Sequence, residues 1–296
     1  MTPREATDTL RRFNRSYTQR IGALDESFLG VGLPLGAARL LFEIGVEPTT
    51  VQSLRVRLGM DAGYLSRLLR QLEVRHLVEI TPDPRDRRRR TTRLTGAGRA
   101  AWRRLDARSD SRARELVEPL TDRQRQRLAE ALATADLLVR AATVTLEDVD
   151  PTAPVARTAV GNYFAELDRR FTDGFDPGDA VATDSASLRS PGGSFVVATS
   201  EGEPVACGGL QTIAPGIGEI KRMWVDERWR GAGLGSRMLR RLEQDARDRG
   251  LRVVRLDTNS ALTEAIQMYE RADYKRIARY NDNPYARHWF EKELAG

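Results

Sequence analysis

Six residues, Arg230-Gly231-Ala232-Gly233-Leu234-Gly235, constrain the fold of this 296-residue chain more than any others. They lie between a strand-like run, Gly218–Val225, and a segment from Leu234 to Arg249 that reads as a helix. Glycines at such a junction leave backbone N–H groups bare and admit a phosphate, and the helix N-terminus adds positive potential. Taken alone, the loop indicates an anion site, with a pyrophosphate as the usual occupant. It is not a Walker loop, because no Gly-Lys-Ser/Thr follows. A dinucleotide fold also fits poorly. Asp257 stands 22 residues after Gly235, as that fold would ask, but the segments before the loop read as antiparallel strands.

Those segments are Ser194–Thr199, the turn Glu201-Gly202-Glu203-Pro204, Val205–Ile213 and Gly218–Val225. After the helix from Leu234 come a strand at Val253–Thr258, a helix at Thr263–Arg271, and strands near Lys275–Tyr280 and His288–Lys292. Antiparallel strands followed by strand–helix–strand predict an α/β (α+β) domain with a mixed, mostly antiparallel sheet.

With Asn259 after the next strand and Ala265-x-x-x-Tyr269 on the next helix, residues 155–294 resemble the GNAT acetyltransferases. Arg230, Gly233 and Gly235 fill the defined positions of that family's Arg/Gln-x-x-Gly-x-Gly/Ala loop. The resemblance implies acetyl-coenzyme A as cosubstrate and no metal. Main-chain groups of Gly231, Ala232, Gly233, Gly235 and Ser236 would hold the pyrophosphate, with Arg230 in the same motif. Backbone of Met223 and Val225 would pair with the pantetheine arm, and Asn259 would bond further along it. Tyr269 is the expected general acid toward the departing thiolate, although a core tyrosine fits the same spacing. Glu219 is the expected base for the acceptor amine. It stands at even spacing from Met223 and Val225, which in a regular strand puts all three on one face. His288 is the fallback base. Lys221 and Arg222 could instead bind an acidic substrate. The aromatic and polar stretches Phe164–Phe175 and Tyr280–Phe290 suit either a pocket lid or plain packing.

The first half carries all of the chain's charge excess. Residues 1–150 hold 27 Arg against 21 acids, whereas the remainder balances, and the chain's net charge is +6. Within residues 51–108 the excess reaches 15 Arg to 6 acids, which suits a polyanion or a solvated arginine face. Helices are expected from Arg4 to Ser27, from Pro34 to Val46 and over Val51–Leu58, the last capped by Thr50. Gly59-Met60 breaks the chain, and Asp61 caps a helix to Arg75 with Leu65, Leu68, Leu69 and Leu72 on one face. Leu77–Thr81, the basic loop Pro82–Arg90 and Thr91–Leu94 form a predicted β-hairpin wing. Helices from about Gly96 to Arg108 and from Thr121 to Ala142 follow.

The Asp86-Arg87-Arg88 element and the Leu94-Thr95-x-x-Gly98-Arg99 exit, in order after a helix-turn-helix, resemble the MarR regulators. The resemblance covers about residues 4–142. It implies a winged helix-turn-helix that binds double-stranded DNA at a palindromic operator as a homodimer. Tyr64, Ser66, Arg67 and Arg70 would face the major groove, and Arg88 and Arg90 the minor groove or backbone. Asp86 would orient Arg88. The first helix and the last two would build the dimer interface. Leu128, Leu132, Leu137 and Leu138 would form its stripe unless they are internal core. His76 reads as a structural histidine.

Two domains are therefore expected: a mainly-α winged helix-turn-helix over 1–142, a linker over 143–155 and the α/β acetyltransferase over 156–296. No segment has the roughly 18 apolar residues of a membrane span, and no apolar core follows the first charges, so a cytoplasmic protein is expected. The single cysteine, Cys207, agrees with that. No His/Cys/Asp grouping has metal-ligand spacing. The fusion fits a regulator that also acetylates a small amine or amino-acid-like acceptor. It also fits an acetyltransferase whose first domain only dimerises, or a protein acetyltransferase recruited to DNA. Residues 1–220 contain no lysine, so the first domain offers no lysine for self-acetylation.

Overall fold

The computed structural model describes all residues except 47–48, 84–85, 87–88, 179–185 and 295–296. The chain forms two compact units, Met1–Glu130 and Ala131–Gly296.

In the first unit, α1 (Pro3–Arg20) starts at a capping box, with Thr2 and Glu5 each bonding the other's backbone and Pro3 in the first turn. It stops short of the predicted Ser27, because Gly22 adopts φ 71° and breaks the helix. Next come α2 (Leu35–Val46), the short β1 (Thr49–Thr50) and α3 (Val51–Leu58). Thr50 caps α3 by accepting from Ser53 N, and Gly59 closes it in the left-handed region. Asp61 accepts from Tyr64 N and so starts α4 (Ala62–Val74). Strands β2 (Val78–Pro82) and β3 (Arg90–Leu94) pair antiparallel from Val78↔Leu94 to Pro82↔Arg90, and β1 adds to β3. Helix α5 (Gly96–Val117) runs well past the predicted Arg108. The core gathers Leu40, Leu41, Leu54, Leu65, Leu72 and Leu105 from four helices. Each fully buried leucine stabilises by about 1.5–3 kcal/mol.

The second unit begins within α6 (Asp122–Thr143). Ala141 is buried in this unit's core and Leu137 packs against it, so Leu137 is internal, whereas Leu132 and Leu138 are exposed. Residues 143–155 do not form a plain linker. They hold β4 (Thr145–Asp148), paired with the sheet's next strand, and the start of α7 (Pro154–Arg170). Strands β5 (Gly193–Ser200), β6 (Glu203–Ala214) and β7 (Ile217–Val225) follow. Then come α8 (Leu234–Asp248), β8 (Val253–Thr258), α9 (Thr263–Arg271), β9 (Lys275–Ile277) and β10 (His288–Glu293). Among the described residues the sheet order is β4-β5-β6-β7-β8-β10-β9, with β7 and β8 parallel and the other neighbours antiparallel. One core sets Met238, Leu239 and Leu242 of α8 against Val196, Leu210 and Ile220. The other sets Ala156 and Ala159 of α7 against Phe195, Val197, Cys207 and Trp224. Among the described residues, no helix is long and apolar enough to cross a membrane.

Candidate active site and DNA-reading face

The glycine loop sits at the N-terminus of α8. Gly231 and Gly233 adopt φ 81° and 78°, and no atom lies within 4 Å of where a Cβ would stand on either. A side chain on either would find room but would strain the backbone, so conformation rather than crowding calls for glycine. Gly235 and Ser236 line the same 300 Å³ channel, while Ala232 packs partly into the core. A glycine loop that lines a channel at a helix N-terminus fits a diphosphate.

Strands β7 and β8 pair only from Ile217↔Val253 to Glu219↔Arg255, and both continue beyond, so they splay. Asp226 N donates to Val205 O, so the alternating ladder turns the main-chain groups of Met223 and Val225 away from β6, toward the splay. The Val225 carbonyl already accepts from the Arg230 guanidinium at 3.2–3.3 Å.

Glu219 departs from the sequence expectation. It does not share a face with Met223 and Val225. A bulge between Cys207↔Trp224 and Gly209↔Lys221, with Arg222 at φ 52°, adds a residue and reverses the alternation. Ile220 therefore packs with Met223 and Val225, three and five residues on, while Trp224 joins the opposite core. Glu219 points to the α7 side, where its carboxylate accepts from Gln211 Nε2 (2.6 Å), Tyr280 Oη (2.8 Å) and Asn281 Nδ2 (3.2 Å). Lys221 Nζ lies 3.9 Å away.

That side holds a cavity of about 420 Å³. It meets the channel at Tyr163, Leu167, Met223, Leu262, Ala265 and Tyr269, which line both. Tyr269 is buried at this junction, and its hydroxyl faces the Met223 sulfur at 3.9 Å. Burial, and then the charge of Asp257, push the Tyr269 phenol above its usual range, so it keeps its proton at neutral pH. Asp257 accepts from Asn281 Nδ2 (2.6 Å) and Asn283 Nδ2 (2.7 Å). Its carboxyl is raised by burial, against those two amides, and further by Glu219. From the Tyr280–Phe290 stretch, Asn281 and Asn283 to Ala286 thus line the pocket, while Phe290 packs in the core. Strand β9 is shorter than predicted because the chain leaves it to bring Tyr280 and Asn281 to the carboxylates.

Sequence reasoning missed Glu166. It is buried on α7 and accepts from Trp224 Nε1 (2.8 Å), Arg170 (3.2 Å) and Arg230. Arg170 and Arg230 also reach Glu264 of α9 at 2.7 and 3.2 Å. Arg230 therefore turns inward and braces the glycine loop rather than pointing along it. Helical spacing of Phe164-Ala-Glu-Leu-Asp-Arg-Arg170 held the only signal for this cluster. Glu166→Gln keeps an acceptor for Trp224 but removes the charge facing two arginines. It is expected to cost about 1.5 kcal/mol, read as a lower thermal midpoint, together with weaker acetyl-coenzyme A binding by calorimetry.

Two further expectations move away from the pocket. His288 does not line it; Nδ1 accepts from Arg276 at 3.0 Å and Nε2 faces Ser260 Oγ at 3.0 Å. Asn259 lines the cavity rather than the channel. Its amide donates to Tyr285 O at 2.7 Å and its oxygen accepts from Ala261 N. No group of three or more His, Cys, Asp or Glu that could hold a metal occurs among the described residues.

In the first unit, α4 buries Leu65, Leu68, Leu69 and Leu72 and exposes Tyr64, Ser66, Arg67 and Arg70 on the opposite face. The Arg67 guanidinium lies 5.7 Å from the Tyr64 ring, and Tyr64 leans on α2 at Gly36. Arg90 is exposed at the loop end of the wing hairpin, where it pairs with Pro82. Arg88 lies outside the described residues. Asp86, expected to orient Arg88, pairs with Arg89 at 3.4 Å. His76 adopts φ 54° where the chain turns out of α4, a structural position.

A glycine loop at a helix N-terminus, lining a channel beside a splayed strand pair, is the arrangement of an acyltransferase of the coenzyme A type, here joined to a winged helix-turn-helix. The family profile described as Acetyltransferase (GNAT) family matches residues 162–274, and that described as MarR family matches residues 31–89. An IAA acetyltransferase of Azospirillum brasilense is 33% identical over 130 residues, covering 43% of this chain and 85% of that protein. A GNAT acetyltransferase structure from Elizabethkingia anophelis with acetyl-CoA bound aligns at TM-score 0.38 and 15% identity, over 51% of this chain and 98% of that one. A mutant MarR from Escherichia coli complexed with operator DNA aligns at TM-score 0.38 and 23% identity, over 44% and 95% of the two chains. The chain belongs to the GNAT acetyltransferase family, and within its first unit residues 31–89 match the MarR family profile.

Proposed function

We propose that this chain is both a DNA-binding regulator and an N-acetyltransferase acting on a small amine or amino-acid-like acceptor. The observation that carries the enzymatic reading is the meeting of two cavities at Met223 and Tyr269. One is floored by the glycine loop, the other by Glu219 and Asp257. The amides of Gly231 to Ser236 would hold the coenzyme's diphosphate, and the splayed edge at Met223 and Val225 its pantetheine arm. Acetyl-coenzyme A supplies an activated acetyl thioester. The acceptor nitrogen bonds to the acetyl carbon as the carbon–sulfur bond breaks. Tyr269 Oη gives its proton to the departing sulfur, and Glu219 takes the proton the amine sheds, directly or through water. Calorimetric titration with acetyl-coenzyme A, followed by a thiol-release screen of amines, tests this reading. No heat and no thiol with any amine would end it.

The DNA reading rests on the polar face of α4, which presents Arg67 and Arg70 opposite a leucine core. Arg67→Ala or Arg70→Ala is expected to weaken operator binding by about 1–3 kcal/mol if the side chain reads a base. A phosphate contact would instead lower the salt slope by about one unit. Gel shifts at two salt concentrations separate these outcomes, and unchanged affinity at both removes the residue from the interface. Dimerisation through the first unit is supported by α1, which buries no residue yet aligns Leu10, Phe13 and Tyr17 on one exposed stripe. Any coupling between acetyl-coenzyme A and DNA affinity must pass through binding, since residues 1–220 lack lysine.

A further inference from the structure

We propose that the acceptor is a primary amine carrying an aromatic ring, in preference to an aliphatic amine of similar length. This rests on the acetyltransferase reading above and narrows it. The first observation is an aromatic wall along the 420 Å³ cavity. Phe164 and Phe175 have ring centroids 5.3 Å apart, Phe175 and Tyr285 4.8 Å, and Phe171 and Tyr285 5.8 Å. All four rings are half-buried and line the cavity, so they form an apolar surface still open to a guest. Their backbone is held by polar bonds of its own. Phe175 N donates to Asp168 Oδ1 at 3.0 Å, and Asp176 N donates to Tyr285 Oη at 3.0 Å. The wall is thus set before a ligand arrives, which lowers the ordering cost of binding.

The second observation is the acidic floor. Asn281 Nδ2 is shared between Glu219 Oε1 and Asp257 Oδ2, at 3.2 and 2.6 Å. Each carboxylate has further neutral donors, Gln211 and Tyr280 for Glu219 and Asn283 for Asp257, but two acidic groups brought this close favour a cation with several N–H groups, which a primary ammonium is. Lys221, 3.9 Å from Glu219, only partly offsets that charge. At the aromatic end the Arg222 guanidinium lies over Phe164, 4.8 Å from its centroid. Its charge opposes a second cation there, although Asp176 also lines that end. A polyamine therefore suits the cavity less well than one amine joined to one ring. A ring there would stack offset or edge-on against Phe175 and Tyr285. Whether the acceptor also bears a carboxylate, for Lys221 or Arg222, is left to the arms of the experiment.

The test measures thiol release for two matched pairs, 2-phenylethylamine against n-butylamine and L-phenylalanine against L-alanine, with spermidine as a further arm. Calorimetry of 2-phenylethylamine and L-phenylalanine with the full-length protein gives a readout independent of turnover. The aromatic member of at least one pair is expected to exceed its aliphatic partner by about 10-fold or more in kcat/KM and to bind measurably. Phe175→Ala should bring that ratio toward unity without changing the Kd for acetyl-coenzyme A. Phe175→Leu, which keeps apolar bulk, should do so in part, and its thermal melt shows that the fold survives. Aliphatic amines or spermidine matching or exceeding both aromatic compounds would overturn the proposal. So would absence of aromatic-amine turnover and binding in protein that binds acetyl-coenzyme A. Failure to bind acetyl-coenzyme A at all strikes instead at the acetyltransferase reading.

Discussion

Tyr269→Phe is expected to lower kcat by about 100-fold or more, with the Kd for acetyl-coenzyme A unchanged within about twofold. The hydroxyl is the only atom removed. It sits at the seam of the two cavities, beside the Met223 sulfur, and makes no strong internal hydrogen bond that the fold would miss. The ring stays packed against Tyr274 and Phe290, at centroid distances of 5.9 Å each, so the core around α9 keeps its shape. What disappears is a proton held for the departing sulfur. Burial and the nearby Asp257 raise the phenol's pKa, so the proton is present across the physiological range. Loss of kcat by protonation at acid pH must then come from a group other than Tyr269, while any limb from Tyr269 lies at strongly alkaline pH. Stopped-time thiol release and calorimetry on the same preparation check both numbers. A kcat within about threefold of the parent removes Tyr269 as the acid.

Much of the second unit was legible because its signals are local. Short apolar runs bounded by turns mark β5 to β8, and glycines mark the loop. The Ala265-x-x-x-Tyr269 spacing puts Tyr269 on the same face of α9 as Ala265. What was not legible depends on events between residues. Parity along β7 placed Glu219 beside Met223, but parity holds only while the strand stays regular, and the bulge at Arg222 is set by its pairing with β6. Pro151 and Pro154 read as linker punctuation, although a proline just inside a helix start is equally a helix signal, and Pro154 opens α7. With α7 unrecognised, Glu166 and Arg170 had no place. Asn259 and Arg230 were assigned to the coenzyme by motif, but the structure first commits both to internal bonds. A motif states which residues recur together, not which of them faces the ligand.

The first unit was legible for a different reason: its signals are punctuation. Thr50, Asp61 and Thr95 each cap the helix they precede. Between those caps the leucines of α4 show their face by spacing alone. The overrun of α5 past Arg108 was not foreseeable from spacing, because its second half exposes most of its side chains and carries little apolar signal.

One residue of the wing exit, Gly98, carries the other large expected effect. Gly98→Ala should destabilise the first unit by about 3 kcal/mol, equivalent to roughly a 10 °C fall in its thermal midpoint. A Cβ on Gly98 would lie 1.8 Å from the Leu77 carbonyl oxygen and 2.9 Å from its carbon, so it meets backbone that cannot rotate aside. Relief requires moving either α5 or the start of β2. The first move breaks the cap, in which Thr95 Oγ1 accepts from Gly98 N at 2.9 Å and donates to His76 O at 2.6 Å. The second breaks the Leu77 amide's bond to Leu72 O at 2.9 Å, which closes α4. Either way the wing and the recognition helix lose their shared anchor, and operator affinity should fall with stability. Gly96→Ala is the matched control. It lies in the same helix turn with nothing within 4 Å of its Cβ and no positive φ, so replacement should be neutral or slightly stabilising. Thermal unfolding of the two full-length variants, followed by gel shifts below the lower midpoint, decides the matter; equal midpoints for both would show that the Leu77 contact does not hold the wing.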